Sequence, residues 1–126
     1  MTPFPLAVAV AAPVSDADLL MRKHGIHHLP VTDGRDIVGV ISAFDIAARA
    51  HRPVAVSECY VPEPYLVDIE VPLEEVLSEM ATDRLEVAIV MRQGRLAGIF
   101  TQHDVCRTFA AHLIASYPPP PDDQVA

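Results

Sequence analysis

The chain has 126 residues, with nine basic against seventeen acidic side chains and a formal net charge of −8. That balance argues against a nucleic-acid surface or an anionic membrane as partner. At 51% apolar it is one domain's worth of chain, able to bury a core without covalent staples.

The first apolar run, Leu6 to Val14, is too short to span a bilayer and has no basic leader, so the chain reads as cytoplasmic. Cys59 and Cys106 form no metal or redox motif and read as reduced thiols, Cys106 as a buried one on the apolar side of a helix.

In chain order, an extended segment over Leu6–Val10 leads into a helix. Ser15 is its expected cap, Asp18 sits at the third helical position, and Gly25 ends it. A hairpin follows, Leu29–Thr32 to Ile37–Ile41, turned by Asp33-Gly34. A second helix opens at Ser42. After a Pro-rich join the same series returns: an extended segment Tyr65–Ile69, a helix behind Pro72, a hairpin from Val87–Met91 to Leu96–Phe100 around Gln93-Gly94, and a helix from Thr101. The hairpin strands are apolar nearly throughout, so both faces are expected to be covered. On the last helix Val105, Phe109, Leu113 and Tyr117 recur every four residues, a broad stripe that predicts contact with the other half or with another subunit.

The two series are one unit repeated 59 residues apart without a gap, from Pro3/Pro62 to Asp45/Asp104. The expected organisation is a first repeat over 1–52, a connector over 53–61, a second repeat over 62–117 and a Pro-rich, disordered tail over 118–126. The best-matched phrase runs Gly39-Val40-Ile41-Ser42-Ala43-Phe44-Asp45-Ile46 and Gly98-Ile99-Phe100-Thr101-Gln102-His103-Asp104-Val105. Each copy carries an apolar strand into a hydroxyl residue, then an aspartate three residues on, at a helix start.

Two readings of that phrase compete. Ser42 with Asp45, and Thr101 with Asp104, fit a capping box in which Asp stands for the usual Glu, and that needs no ligand. Alternatively, an Asp beside free helical N–H groups repels phosphate but accepts two hydrogen bonds, which suits a ribose diol. Arg107, one helical turn after Asp104, would then be the cation nearest a phosphate. His27 and His28 are candidate polar walls. As neighbours on an extended segment they point to opposite faces, so a metal site with His103 is not expected. No Ser-His-Asp or Cys-His arrangement and no phosphate loop is evident, so enzyme activity is not expected.

With β-α-β-β-α units in tandem and a G-[IV]-[IF]-[ST]-x-x-D-[IV] phrase closing each hairpin, the chain resembles a pair of CBS domains, the cystathionine β-synthase-type repeat, over roughly residues 1–117. Gly25-Ile26-His27-His28-Leu29-Pro30-Val31-Thr32-Asp33-Gly34 is similar to the family's pre-hairpin signature. The resemblance implies an α+β Bateman module: two pseudo-symmetric repeats packed as one body, with clefts between them and a homodimer built through helices. It also implies regulatory binding of AMP, ADP, ATP or S-adenosylmethionine, with no obligatory cofactor, and signalling to a partner enzyme or transporter. The candidate site residues are Ser42, Asp45, Thr101, Asp104, His27, His28 and Arg107, of which the resemblance implies the ribose role of the two aspartates. The chain departs from the pattern where many relatives carry a phosphate-side Thr, here Ala7 and Leu66, and where Val87-Ala88-Ile89-Val90 replaces the His-Leu-Pro-Val phrase. The two clefts are therefore expected to differ, the first copy keeping more of the pattern.

Overall fold

The computed structural model describes residues 6–49 and 54–117. The elements in chain order are β1 (Val8–Ala9), α1 (Val14–His24), β2 (His28–Asp33), β3 (Asp36–Ser42) and α2 (Ala43–Ala47). A single 3-10 turn at Val56–Glu58 precedes β4 (Val61–Pro62), β5 (Leu66–Asp68), α3 (Leu73–Thr82), β6 (Val87–Arg92), β7 (Arg95–Thr101) and α4 (Gln102–Ser116). They form two sheets, ordered β1-β2-β3-β4 and β5-β6-β7. The tail expectation for 118–126 lies outside the described residues.

The repeat extends to backbone detail. β1 pairs parallel to β2 with Val8 opposite Val31, and β5 pairs parallel to β6 with Val67 opposite Val90. Each antiparallel hairpin slips register at one place, Val31/Thr32 and Val90/Met91, positions that correspond in the repeat. The second turn is Gln93-Gly94 with both residues at positive φ, as the twist of a two-residue hairpin requires. The first turn falls on Gly34-Arg35, not Asp33-Gly34: Asp33 pairs with Asp36, and only Gly34 takes positive φ.

Two apolar clusters hold the halves. In the first, Leu29, Val31, Ile41 and Ala17 are fully buried, joined by Val56 from the connector. In the second, Val67, Val76, Met80, Ala88, Val90 and Phe100 pack together. The hairpins are covered on both faces at their centres, as expected: Leu29–Val31 of β2, Ala88–Val90 of β6 and Gly98–Phe100 of β7 are buried without a break, and β3 is the exception. In β3, Gly39 and Ile41 are buried while Val38 and Val40 are half-buried.

Three further expectations are corrected. The extended segments shorten to two and three residues. α1 starts at Val14 behind Pro13, so Ser15 lies inside the first turn and caps nothing. The reason is long-range: the Val14 N–H donates to the Val54 carbonyl at 2.8 Å, so the connector satisfies the helix start. Asp18 instead faces Arg22 one turn on, at 3.1 Å. Cys106 is exposed, because α4 leaves the sheet after its first turn and its apolar face packs on nothing within the described residues. Among those residues no helix is long and apolar enough to cross a membrane.

Candidate functional site

The two repeated phrases form caps in full. Ser42 Oγ accepts from the Asp45 N–H at 3.1 Å, and Asp45 Oδ2 accepts from the Ser42 N–H at 2.9 Å. Thr101 Oγ1 accepts from the Asp104 N–H at 3.3 Å, and Asp104 Oδ2 accepts from the Thr101 N–H at 2.9 Å. Beyond the caps the copies diverge. Asp104 is buried at 6% exposure, and its Oδ1 accepts from Arg107 Nη2 at 2.8 Å. Asp45 is half-buried, and the position matching Arg107 is Ala48.

A cleft of about 240 Å³ brings the turn after α1 against the start of α4. Gly25 to His28 form one wall; Ile99, Thr101, His103, Asp104 and Arg107 form the other. The site is thus composite: the histidines of the first repeat meet the carboxylate of the second. Five of the seven residues named from sequence share this cleft, whereas Ser42 and Asp45 do not line it. The pseudo-symmetric cleft, also about 240 Å³, is lined by Val40, the Val61–Tyr65 stretch and Arg84 to Val87, again without Ser42 or Asp45. There Glu86 and Val87 stand where the first cleft has His27 and His28, and β4 forms part of the wall.

His28 sits at the junction of the two halves. Its Nε2 lies 3.9 Å from Oε2 of Glu86, a residue sequence reading missed, although the repeat pairs Glu86 with His27. Burial lowers the His28 pKa below its ordinary 6.5; the neighbouring His27 acts the same way, while Glu86 and Asp45 oppose. The unfolded chain therefore takes up this proton more readily than the folded one. Stability contributed by neutral His28 is complete above 6.5 and is lost as pH falls through 6.5 to the lowered value. We expect the acid side of the stability profile to flatten in His28→Gln; an unchanged slope in urea titrations across that window would contradict this.

The other candidate chemistry does not assemble. His27, His28 and His103 line one cleft, yet among the described residues no three His, Cys, Asp or Glu side chains are placed to hold a metal ion. His24 ends α1. The Cys59 thiol is pushed up by burial and by nearby Asp45, which keeps it protonated near neutral pH.

What the cleft can do follows from its walls. One buried carboxylate, one exposed guanidinium, three imidazoles and the apolar Ile26 and Ile99 offer hydrogen-bond acceptance, one positive charge and a flat apolar contact. The family model of the CBS domain matches residues 1–52 and 56–111. The chain belongs to the CBS domain family. Its two α+β repeats form a CBS pair that superposes on solved CBS pairs. One is the CBS domain pair of protein MJ0100 in complex with 5′-methylthioadenosine and S-adenosyl-L-methionine: 26% identity, TM-score 0.74, 86% of this chain and 91% of that one. Another is CBSX2 in complex with AMP: 25% identity, TM-score 0.71, 89% of this chain and 93% of that one. Inosine-5′-monophosphate dehydrogenase of Korarchaeum cryptofilum is 33% identical over 93 residues, 73% of this chain and 20% of that enzyme. The CBS pair spans about a fifth of the length of the curated relatives it matches.

Proposed function

We propose that this CBS pair is a cytoplasmic, non-catalytic sensor that binds an adenosine-containing ligand in the Asp104 cleft and signals the occupancy to a partner protein. The repeats are read as 1–52 and 62–117, joined through 53–61. The observation that carries the reading is the convergence of His27 and His28 with Thr101, Asp104 and Arg107 from opposite repeats. In this reading the Asp104 carboxylate accepts from the ribose hydroxyls. Arg107, whose side chain is 65% exposed, turns from Asp104 toward the phosphate, and Ile26 and Ile99 flank the base. At about 240 Å³ the cleft is smaller than the roughly 300–1,000 Å³ of typical small-molecule sites, so it encloses the nucleoside and leaves the rest in solvent. The adenosine ligands of the two structural neighbours support this class. Signalling requires the ligand to bind two arrangements of the module unequally. The test is a thermal-shift panel of AMP, ADP, ATP, NADH and S-adenosylmethionine on wild type, Asp45→Asn and Asp104→Asn. A shift that Asp104→Asn reduces more than Asp45→Asn supports the site; no shift with any ligand at millimolar concentration refutes it.

A second reading draws on the completed caps: the aspartates only start helices, and the module's function is association. The exposed face of α4 bears on both readings. Phe109, Leu113, Ile114 and Tyr117 are 59%, 40%, 61% and 76% exposed, and residues four apart share a helix face. We expect a homodimer through this face. Light scattering at micromolar concentration should give twice the chain mass, and Phe109→Glu with Leu113→Glu should give a monomer. A monomeric wild type would refute the dimer.

A further inference from the structure

The two repeats differ most where the connector runs. In the first repeat, Val54–Ser57 lies along the loop between β1 and α1. Val56 N–H donates to the Ala12 carbonyl and Ser57 N–H to the Val10 carbonyl, at 2.8 and 2.9 Å, while Val54 accepts from the Val14 N–H. The Val56 side chain is fully buried against Val8, Ala17, Val31 and Ile41. Moving 59 residues along gives Val67, Val76, Val90 and Phe100, and these four line an apolar groove of about 230 Å³ together with Ile69 and Leu73. Among the described residues nothing fills it. The matching backbone groups, the carbonyls of Ile69 and Val71 and the N–H of Leu73, have no hydrogen-bond partner there.

We propose that this groove docks a basic segment of a partner protein that runs extended into a single 3-10 turn, as Val54–Ser57 does, and carries β-branched aliphatic residues at alternate positions. The backbone pattern is set by the first repeat, where the occupant Val54-Ala55-Val56-Ser57 is seen in place. Three main-chain hydrogen bonds give register, and one aliphatic side chain fills the groove. The charge is set by what changed between the copies. Ala9, Ala11 and Ser15 of the first repeat become Asp68, Glu70 and Glu74, all exposed, while Asp16 becomes Glu75. Asp68 lines the apolar slot, and the exposed Glu70, Glu74 and Glu75 adjoin its lining residues in sequence, so this acidic rim favours Lys or Arg beside the aliphatic residues. The chain's own residues after Tyr117 do not match this pattern. Pro118 to Pro121 lack N–H donors, Asp122 and Asp123 would meet the acidic rim, and only Val125 is aliphatic before the final Ala126.

The probe is the peptide Lys-Val-Ala-Val-Ser-Lys with blocked ends, read by fluorescence anisotropy and by amide NMR shifts on the full chain. We expect saturable binding below about 1 mM, with shifts centred on Ile69 to Val76. Glu-flanked and second-valine N-methyl peptides should bind at least about fivefold more weakly. In the exposed double variant Glu70→Lys with Glu74→Lys the flank preference should reverse, a result that loss of folding cannot mimic. The proposal is overturned if the Lys-flanked peptide does not bind or its shifts fall elsewhere. It is equally overturned if the flank preference survives the double variant, or if a peptide of residues 118–126 binds more tightly. Adenosine-ligand binding plays no part in these readouts.

Discussion

Gly39→Ala lowers the melting temperature by roughly 10 °C. A Cβ at Gly39 falls on the backbone carbonyl of Val61 and on the Tyr60 ring. Backbone cannot step aside as a flexible side chain does, so β4 must leave its pairing with β3, where Gly39 faces Pro62 and Val40 faces Val61. Overpacking of this kind costs about 2–3 kcal/mol. For a chain of this size each kcal/mol moves the midpoint by about 4 °C. Gly94→Asn is the contrasting case. Gly94 holds φ +75 with nothing within 4 Å of an added Cβ, and Asn tolerates the left-handed region. Its midpoint should stay within about 2 °C of wild type. Calorimetry on the two variants measures the difference; equal midpoints would show that β4 is not tied to β3 through Gly39.

The second large effect separates the two aspartates. Asp104→Ala removes the acceptor for the Thr101 N–H, the Thr101 hydroxyl and Arg107, at a site only 6% exposed. Losing a buried carboxylate with three donors costs about 2–3 kcal/mol. Asp45→Ala removes the acceptor for one N–H at a half-buried site and costs about 1 kcal/mol. Urea titration should therefore place the Asp104→Ala midpoint well below that of Asp45→Ala. The reverse order would mean that the burial of Asp104 and its bond to Arg107 do not stabilise the fold.

Local signals carried far in this chain. The Ser/Thr-x-x-Asp spacing announced both capping boxes, because a cap needs only four consecutive residues. The repeat announced two hairpins and four helices, because apolar periodicity and turn residues act over short stretches. Failures occurred where a distant segment decides. Ser15 was the obvious cap by spacing, but Val54, 40 residues away in sequence, satisfies the helix start instead. The apolar helix face around Cys106 predicts a buried thiol, but that face leaves the sheet. The site was legible residue by residue but not in its pairing. Sequence places Asp45 in the same copy as His27 and His28, and although the resemblance implies clefts between the copies, it does not say which copy's aspartate faces those histidines. Which wall faces which across a pseudo-twofold is a property of packing, absent from any one repeat.

The central claim is that the composite Asp104 cleft holds an adenosine-containing ligand. Isothermal titration of AMP, ADP, ATP and S-adenosylmethionine into wild type, Asp45→Asn and Asp104→Asn tests it most directly. Asparagine keeps the shape of the carboxylate while removing its charge, so hydrogen bonds from a ribose diol weaken by about 1.5–3 kcal/mol. The account predicts saturable binding of at least one ligand, weakened at least about tenfold by Asp104→Asn and little changed by Asp45→Asn. Absence of heat with every ligand at millimolar concentration, or equal affinity in wild type and Asp104→Asn, would contradict it.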